Sequence, residues 1–173
     1  MATVPLQPLP GDFAVVRISG DVGRLIRVGQ WLDGDGYENY EHAFIDVGDG
    51  QLVEAQPSGA RLAPLTEYDA SAPLWSTGCI ALTDEQRECL VAAARGYIGV
   101  PYSFLDYGSL ALARFRMRPP IVKRFVADTH HMICSQLVDQ CYVDAGVHLF
   151  NDGRIPGDVT PGNLYELIRA AQR

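Results

Sequence analysis

The sequence predicts an α+β domain, because strand-like segments gather early in the chain, helix-like segments gather late, and a Gly-Asp-Gly turn near residue 49 joins two apolar arms. Taken in order, GDFAVVRI over 11–18 alternates and is rich in β-formers after a Pro-Gly entry, which reads as a strand. Ser19 can cap the next segment, where Val22, Leu25, Ile26, Gly29 and Leu32 form one helical stripe before Gly34 and Gly36 end it. The loop GDGYENYE delivers His42 to the start of a strand, and Tyr37 and Tyr40 in it either line a cleft or cover the sheet edge. HAFIDVGDGQLVEAQ then reads as a β-hairpin. After Glu54 the chain turns at Pro57 and Gly59, and GCIAL over 78–82 reads as a further strand, so at least four strands are expected.

The second half carries the helices. Thr83 followed by Gln86 fits a capping box that opens a helix ending near Gly96 or Gly99. Pro101 begins a short helical region over 103–115, ahead of the Arg- and Pro-rich stretch ARFRMRPPIVKRF. In HHMICSQLVDQCYVDAG, residues Ile133, Leu137, Cys141 and Ala145 recur at helical spacing and Gly146 is a stop signal, which puts Cys134 in or near the first turn. Thr160 as cap and Pro161 at the first helical position open a terminal helix. With 173 residues, 47% of them hydrophobic, and no Pro- or Ser-rich linker, one domain over 1–173 is expected.

Charge narrows the partners. A formal net charge of −7 leaves Arg114, Arg116, Arg118, Lys123 and Arg124 as the densest cationic stretch, which reads as a solvated loop rather than a nucleic-acid patch. The N-terminus MATVPLQPLPGDF lacks a basic segment followed by an apolar core, so no secretory signal is expected, and no run approaches the length of a membrane span. The four cysteines, Cys79, Cys89, Cys134 and Cys141, are expected to stay reduced. Cys134 and Cys141 share one helix face with Cα atoms about 10 Å apart, too far to bridge. A zinc set of His130, His131, Cys134 and Cys141 is conceivable, but adjacent histidines point apart on a helix and no paired CxxC supports them. No metal or other cofactor is expected.

The chemistry-bearing residues are His42, Glu54 and Cys134. If the hairpin loop is the three residues Gly48 to Gly50, Val47 faces Gln51 and His42 faces Gln56, so His42 and Glu54 share one face, diagonal across two strands. A two-residue Asp49-Gly50 turn would instead pair Val47 with Leu52 and send Glu54 to the opposite face. A helix N-terminus and a neighbouring imidazolium both favour thiolate at Cys134, and thiolate is the attacking species. The expected roles are Cys134 as nucleophile, His42 as base and Glu54 as orienter, with Gln56 as the alternate orienter.

These motifs resemble the NlpC-type papain-like cysteine peptidases in their circularly permuted, YiiX-like branch. GDFAVV followed by a helix is similar to the permuted opening, YEHAFIDVGDGQLVEA to its His strand and following polar strand, ICSQLVDQCY to its Cys helix, GVPYSF to its Gly-x-Pro-Tyr segment and DVTPGNL to its closing segment. Phe44 departs from the family pattern, which commonly has Gly shortly after the His, and the Arg-rich loop has no counterpart there. The resemblance implies a permuted papain-like fold with an antiparallel sheet packed against helices, and a hydrolase of peptide or isopeptide bonds in bacterial cell-wall peptides. It also implies Tyr102 near the nucleophile as a substrate-binding residue, with Tyr40 as a second candidate. Small members occur in phage tails, so a cytoplasmic or virion-associated location, with assembly into a larger particle, is the expected setting. The same branch contains lecithin retinol acyltransferase-like lipid enzymes, and a non-catalytic structural module is the remaining alternative.

Overall fold

The computed structural model describes residues 7–17, 40–101 and 133–173. The helix expected over 22–32, the helical region over 103–115, the Arg-rich loop, Tyr102, His130 and His131 lie outside the described residues. Five strands form one antiparallel sheet: β1 (Phe13–Val16), β2 (His42–Gly48), β3 (Gln51–Gln56), β4 (Gly59–Pro64) and β5 (Leu74–Trp75), in the order β4-β3-β2-β1-β5. Three α-helices follow among the described residues, α1 (Asp84–Gly96), α2 (Cys134–Asp144) and α3 (Pro161–Ala171).

Strand alternation divides the sheet into two faces. Phe13, Val15, Ala43, Ile45, Val47, Val53 and Ala55 point to the helices, where they meet Leu90 and Ala94 of α1, Leu137, Val138, Cys141 and Tyr142 of α2, and Leu164 and Ile168 of α3. Because that core draws on all three described stretches, it ties them into one packed body. The opposite face carries a smaller cluster of Ala14, Val16, Phe44, Leu52 and Ala63 under Leu65, Tyr68 and Trp75. His42 and Glu54 have the parity of this second face.

The hairpin combines the two arrangements the sequence offered. Gly48 pairs with Gln51 across a two-residue Asp49-Gly50 turn, and both turn residues have positive φ, as a primed turn requires. That turn alone would have put Glu54 on the wrong face. A bulge at Val47 absorbs one residue, so Asp46 pairs with Leu52 and Phe44 with Glu54, and the register that matters is the one expected from a three-residue loop. The bulge is built around Asp46: its carboxylate accepts from Gly48 N–H at 2.7 Å, and Gly48 has φ +84°.

Two further expectations are corrected. GCIAL over 78–82 is not a strand. The ladder to β1 ends at Trp75, and Ser76 closes it by donating its N–H to Phe13 O at 2.9 Å while its hydroxyl accepts from Phe13 N–H at 3.0 Å. Cys79 N–H then donates to Ser76 O in a turn, and Cys79, Ile80 and Leu82 meet their apolar requirement by packing on the helical side. Conversely, GARLAP over 59–64 is a strand, paired with β3 along its whole length. Gly59 there has φ +112°, and a Cβ would come within 3.1 Å of Val100 O.

Among the described residues, the signals for α1, α2 and α3 hold. Thr83 and Gln86 form the expected capping box over α1, and Thr160 forms one with Asn163 over α3 with Pro161 in its first turn. Arg87 fastens α1 to β1 through Asp12 at 2.8 Å, and Tyr142 of α2 donates to Gly11 O at 2.9 Å. Gly48→Ala should cost about 1 kcal/mol or more of unfolding free energy, because a left-handed conformation is unfavourable for an L side chain. Urea titration checks this, and an unchanged midpoint would show that the bulge relaxes without that conformation.

Candidate active site

Cys134 opens α2, and the residue before it, Ile133, has no side chain capping the first turn. The positive end of the helix therefore meets the thiol position rather than a polar cap. The turn is anchored from its other side, where the buried Ser135 hydroxyl donates to Val159 O at 2.6 Å, just ahead of α3. His42 is the first residue of β2, paired with Val16 of β1. The Cys134 side chain hydrogen-bonds the His42 ring. His42 Nε2 donates to Glu54 Oε2 at 2.5 Å, which leaves Nδ1 as the ring nitrogen for the thiol. The structure thus brings together three side chains that span 93 positions of sequence. Cys134 and Glu54 have no exposed surface and His42 is 4% exposed.

Glu54 is the most heavily coordinated group in this cluster. Its Oε2 also accepts from the Tyr68 hydroxyl at 2.5 Å, while Oε1 accepts from Gln56 Nε2 at 2.8 Å and Arg61 Nε at 2.9 Å. Arg61 stands directly opposite Glu54 in the β3–β4 ladder and turns its outer edge to the exposed Glu67. Burial alone would favour the neutral acid, yet the hydrogen bond and charge of His42, the Tyr68 hydroxyl and the Arg61 charge hold the Glu54 carboxyl down at about 2. Burial likewise opposes charge on His42. Attraction to the Cys134 thiolate, the hydrogen bond between them and the partnership with Glu54 outweigh it, and the imidazole is raised to about 9. At neutral pH the protonated His42 ring therefore lies between the Cys134 side chain and the ionised Glu54 carboxylate.

Gln56, the alternate orienter, does not face the ring. It donates to Glu54 and to the Tyr68 oxygen and so buttresses the carboxylate. Tyr40 stacks on Tyr165 of α3 with centroids 4.6 Å apart and lies under the Arg17 guanidinium. Sequence reasoning missed Arg61 and Tyr68. A ladder opposite Glu54 would have exposed Arg61, but its strand was not recognised, and Tyr68 sits on the 3-10 turn Leu65–Ser71, which has no periodic signal. The other cysteines are unpaired and differ in setting. Burial pushes the Cys79 and Cys141 thiols up, and neither has a histidine partner among the described residues.

Among solved structures, the chain is similar to the metalloprotein YiiX from Escherichia coli O157:H7, with a TM-score of 0.57 and 18% identity over 88% of this chain and 79% of that one. At that identity the likeness is one of fold. No family model matches the chain, and no curated protein matches it. No helix among the described residues is long and apolar enough to cross a membrane.

The ring of His42 should titrate near pH 9 by NMR, with the sign fixed by its partners. Cys134→Ser removes the thiolate and Glu54→Gln removes the carboxylate charge, so each lowers the His42 pKa, and burial then dominates. Titration at the ordinary histidine value in the wild type, unmoved by either change, would contradict the coupling.

Proposed function

We propose that this chain is a cysteine hydrolase that cleaves an amide bond, peptide or isopeptide, in bacterial cell-wall peptides, on a single domain of permuted papain-like fold. The observation that carries the reading is the buried relay Cys134–His42–Glu54, in which a thiol at a helix N-terminus meets an imidazole whose far nitrogen is held by an ionised carboxylate. The order in which the His strand and Glu strand precede the Cys helix supports the permuted arrangement, as does the likeness in fold to YiiX. The class of bond and the cell-wall source rest on the resemblance of the motifs.

In this reading His42 holds the proton taken from Cys134, and the Cys134 thiolate attacks the scissile carbonyl carbon. The S–C bond forms as the carbonyl π pair moves to oxygen, and the first turn of α2 offers its positive end to that oxyanion. Collapse of the tetrahedral intermediate breaks the C–N bond, and the His42 proton goes to the leaving amine. Neutral His42 then removes a proton from water, hydroxide adds to the thioester, and the carboxylic acid leaves as the thiol is restored. Glu54 takes no proton in any step.

YiiX is described as a metalloprotein, so the fit of these residues to a metal matters. Both Glu54 oxygens are already occupied by protein donors, and His42 has one nitrogen on Glu54 and the other toward Cys134. Among the described residues no group of three or more His, Cys, Asp or Glu side chains is arranged to hold a metal ion. The described site does not fit a metal.

Incubation with purified cell-wall peptide fragments, followed by mass spectrometry, should release products that gain one water. Cys134→Ala should abolish the release, and His42→Ala should reduce it by about a thousandfold or more. Glu54→Gln should cost less, since an orienting group contributes less than the nucleophile or base. Hydrolysis that survives in Cys134→Ala would remove the reading, and turnover of phospholipid or a short-chain thioester with no peptide cleavage would redirect it to lipid acyl chemistry.

A further inference from the structure

We propose that Tyr68 is a positioning residue for this site, fixing through its hydroxyl the carboxylate oxygen that Glu54 presents to His42 and, through its ring, the orientation of the imidazole. The inference rests on the reading of Cys134 as nucleophile and His42 as base. A glutamate side chain has a broad terminal torsion, so a hydrogen bond from one histidine does not by itself fix which oxygen faces the ring. Here Gln56 and Arg61 hold Oε1, and the Tyr68 hydroxyl sits on Oε2, the same oxygen that accepts from His42 Nε2. Rotation of the carboxylate would break a contact at each oxygen. The clamp is itself rigid, because the Tyr68 ring stacks on the buried Phe44 with centroids 4.9 Å apart and planes at 25°. The same ring lies alongside His42 at 5.8 Å and 29°, where it opposes the ring flip that would exchange Nδ1 and Nε2. Burial, the hydrogen bond to Glu54 and the Glu54 charge push the phenol up beyond its ordinary range, so the hydroxyl keeps its proton at neutral pH and donates.

The test is a double-mutant cycle read on Cys134 alkylation, which needs no substrate. Wild type, Tyr68→Phe, Glu54→Gln and the double variant are treated with excess iodoacetamide at pH 7, and modification of the Cys134 peptide is followed by mass spectrometry. Tyr68→Phe keeps the ring and removes the donor. It should slow Cys134 by about tenfold, the scale of one hydrogen bond to a charged group, with an unchanged thermal midpoint or a small drop. The double variant should react no more slowly than Glu54→Gln alone, because Tyr68 acts through that carboxylate. Reagent access to the buried sulfur is common to all four proteins and cancels in the ratios. A wild-type rate in Tyr68→Phe overturns the proposal, and so does an equal slowing by Tyr68→Phe in the Glu54→Gln background. Failure of the underlying reading has a different signature: wild-type Cys134 then reacts no faster than Cys141, or His42→Ala leaves its rate unchanged.

Discussion

An ionised carboxylate with no exposed surface is the constraint around which this site is built. Moving an isolated carboxylate out of water is so costly that the group ordinarily takes up a proton instead. Glu54 stays charged because four side chains donate to it, and they come from separate elements: His42 from β2, Gln56 from β3, Arg61 from β4 and Tyr68 from the turn that follows. Two of these are cationic when His42 is protonated, so the charge is balanced as well as hydrogen-bonded. The arrangement is polarised. Arg61 leads outward to Glu67 and solvent, and His42 leads inward to Cys134, so the buried charge is neutralised at the surface while its field acts on the imidazole.

The sheet and the helices meet this requirement from opposite directions. On one face, the Phe44 and Leu52 cluster supports the Glu54 donors; on the other, the main core seats α2 so that its first residue arrives where β2 begins. Ser135 and Tyr142 fasten that helix at two points, one to Val159 and one to Gly11, and so set the height of Cys134 along the strand. A single bulged residue, Val47, decides whether the two halves address each other, because side chains alternate with a period of two.

What could be read from the sequence follows from how local each signal is. Thr83–Gln86 and Thr160–Pro161 announced their helices because capping is settled within four residues, and the spacing of Ile133, Leu137 and Cys141 placed Cys134 at a helix start. The face shared by His42 and Glu54 was legible because the β2–β3 pairing spans one turn, although a two-residue turn plus a bulge, rather than a three-residue loop, delivers it. GARLAP escaped because it is short and alanine-rich, and its Leu62 points to solvent while the alanines are buried. GCIAL misled because its apolar side chains pack on the helical core from a turn. Tyr68 had no local signature at all, since its importance comes from a carboxylate fourteen residues away.

The central claim, that a fully buried Glu54 is ionised and thereby organises the site, can be measured on the residue itself. The side-chain carboxyl carbon of Glu54, assigned by comparison with Glu54→Gln, can be followed by 13C NMR as the pH is lowered. The account predicts a signal that stays at the carboxylate position through the ordinary glutamate range near 4.5 and begins to move only on approach to about 2. A Glu54 carbon that titrates at or above 4.5 would contradict it, because a carboxyl that gains its proton that readily is not held by the donors that surround it.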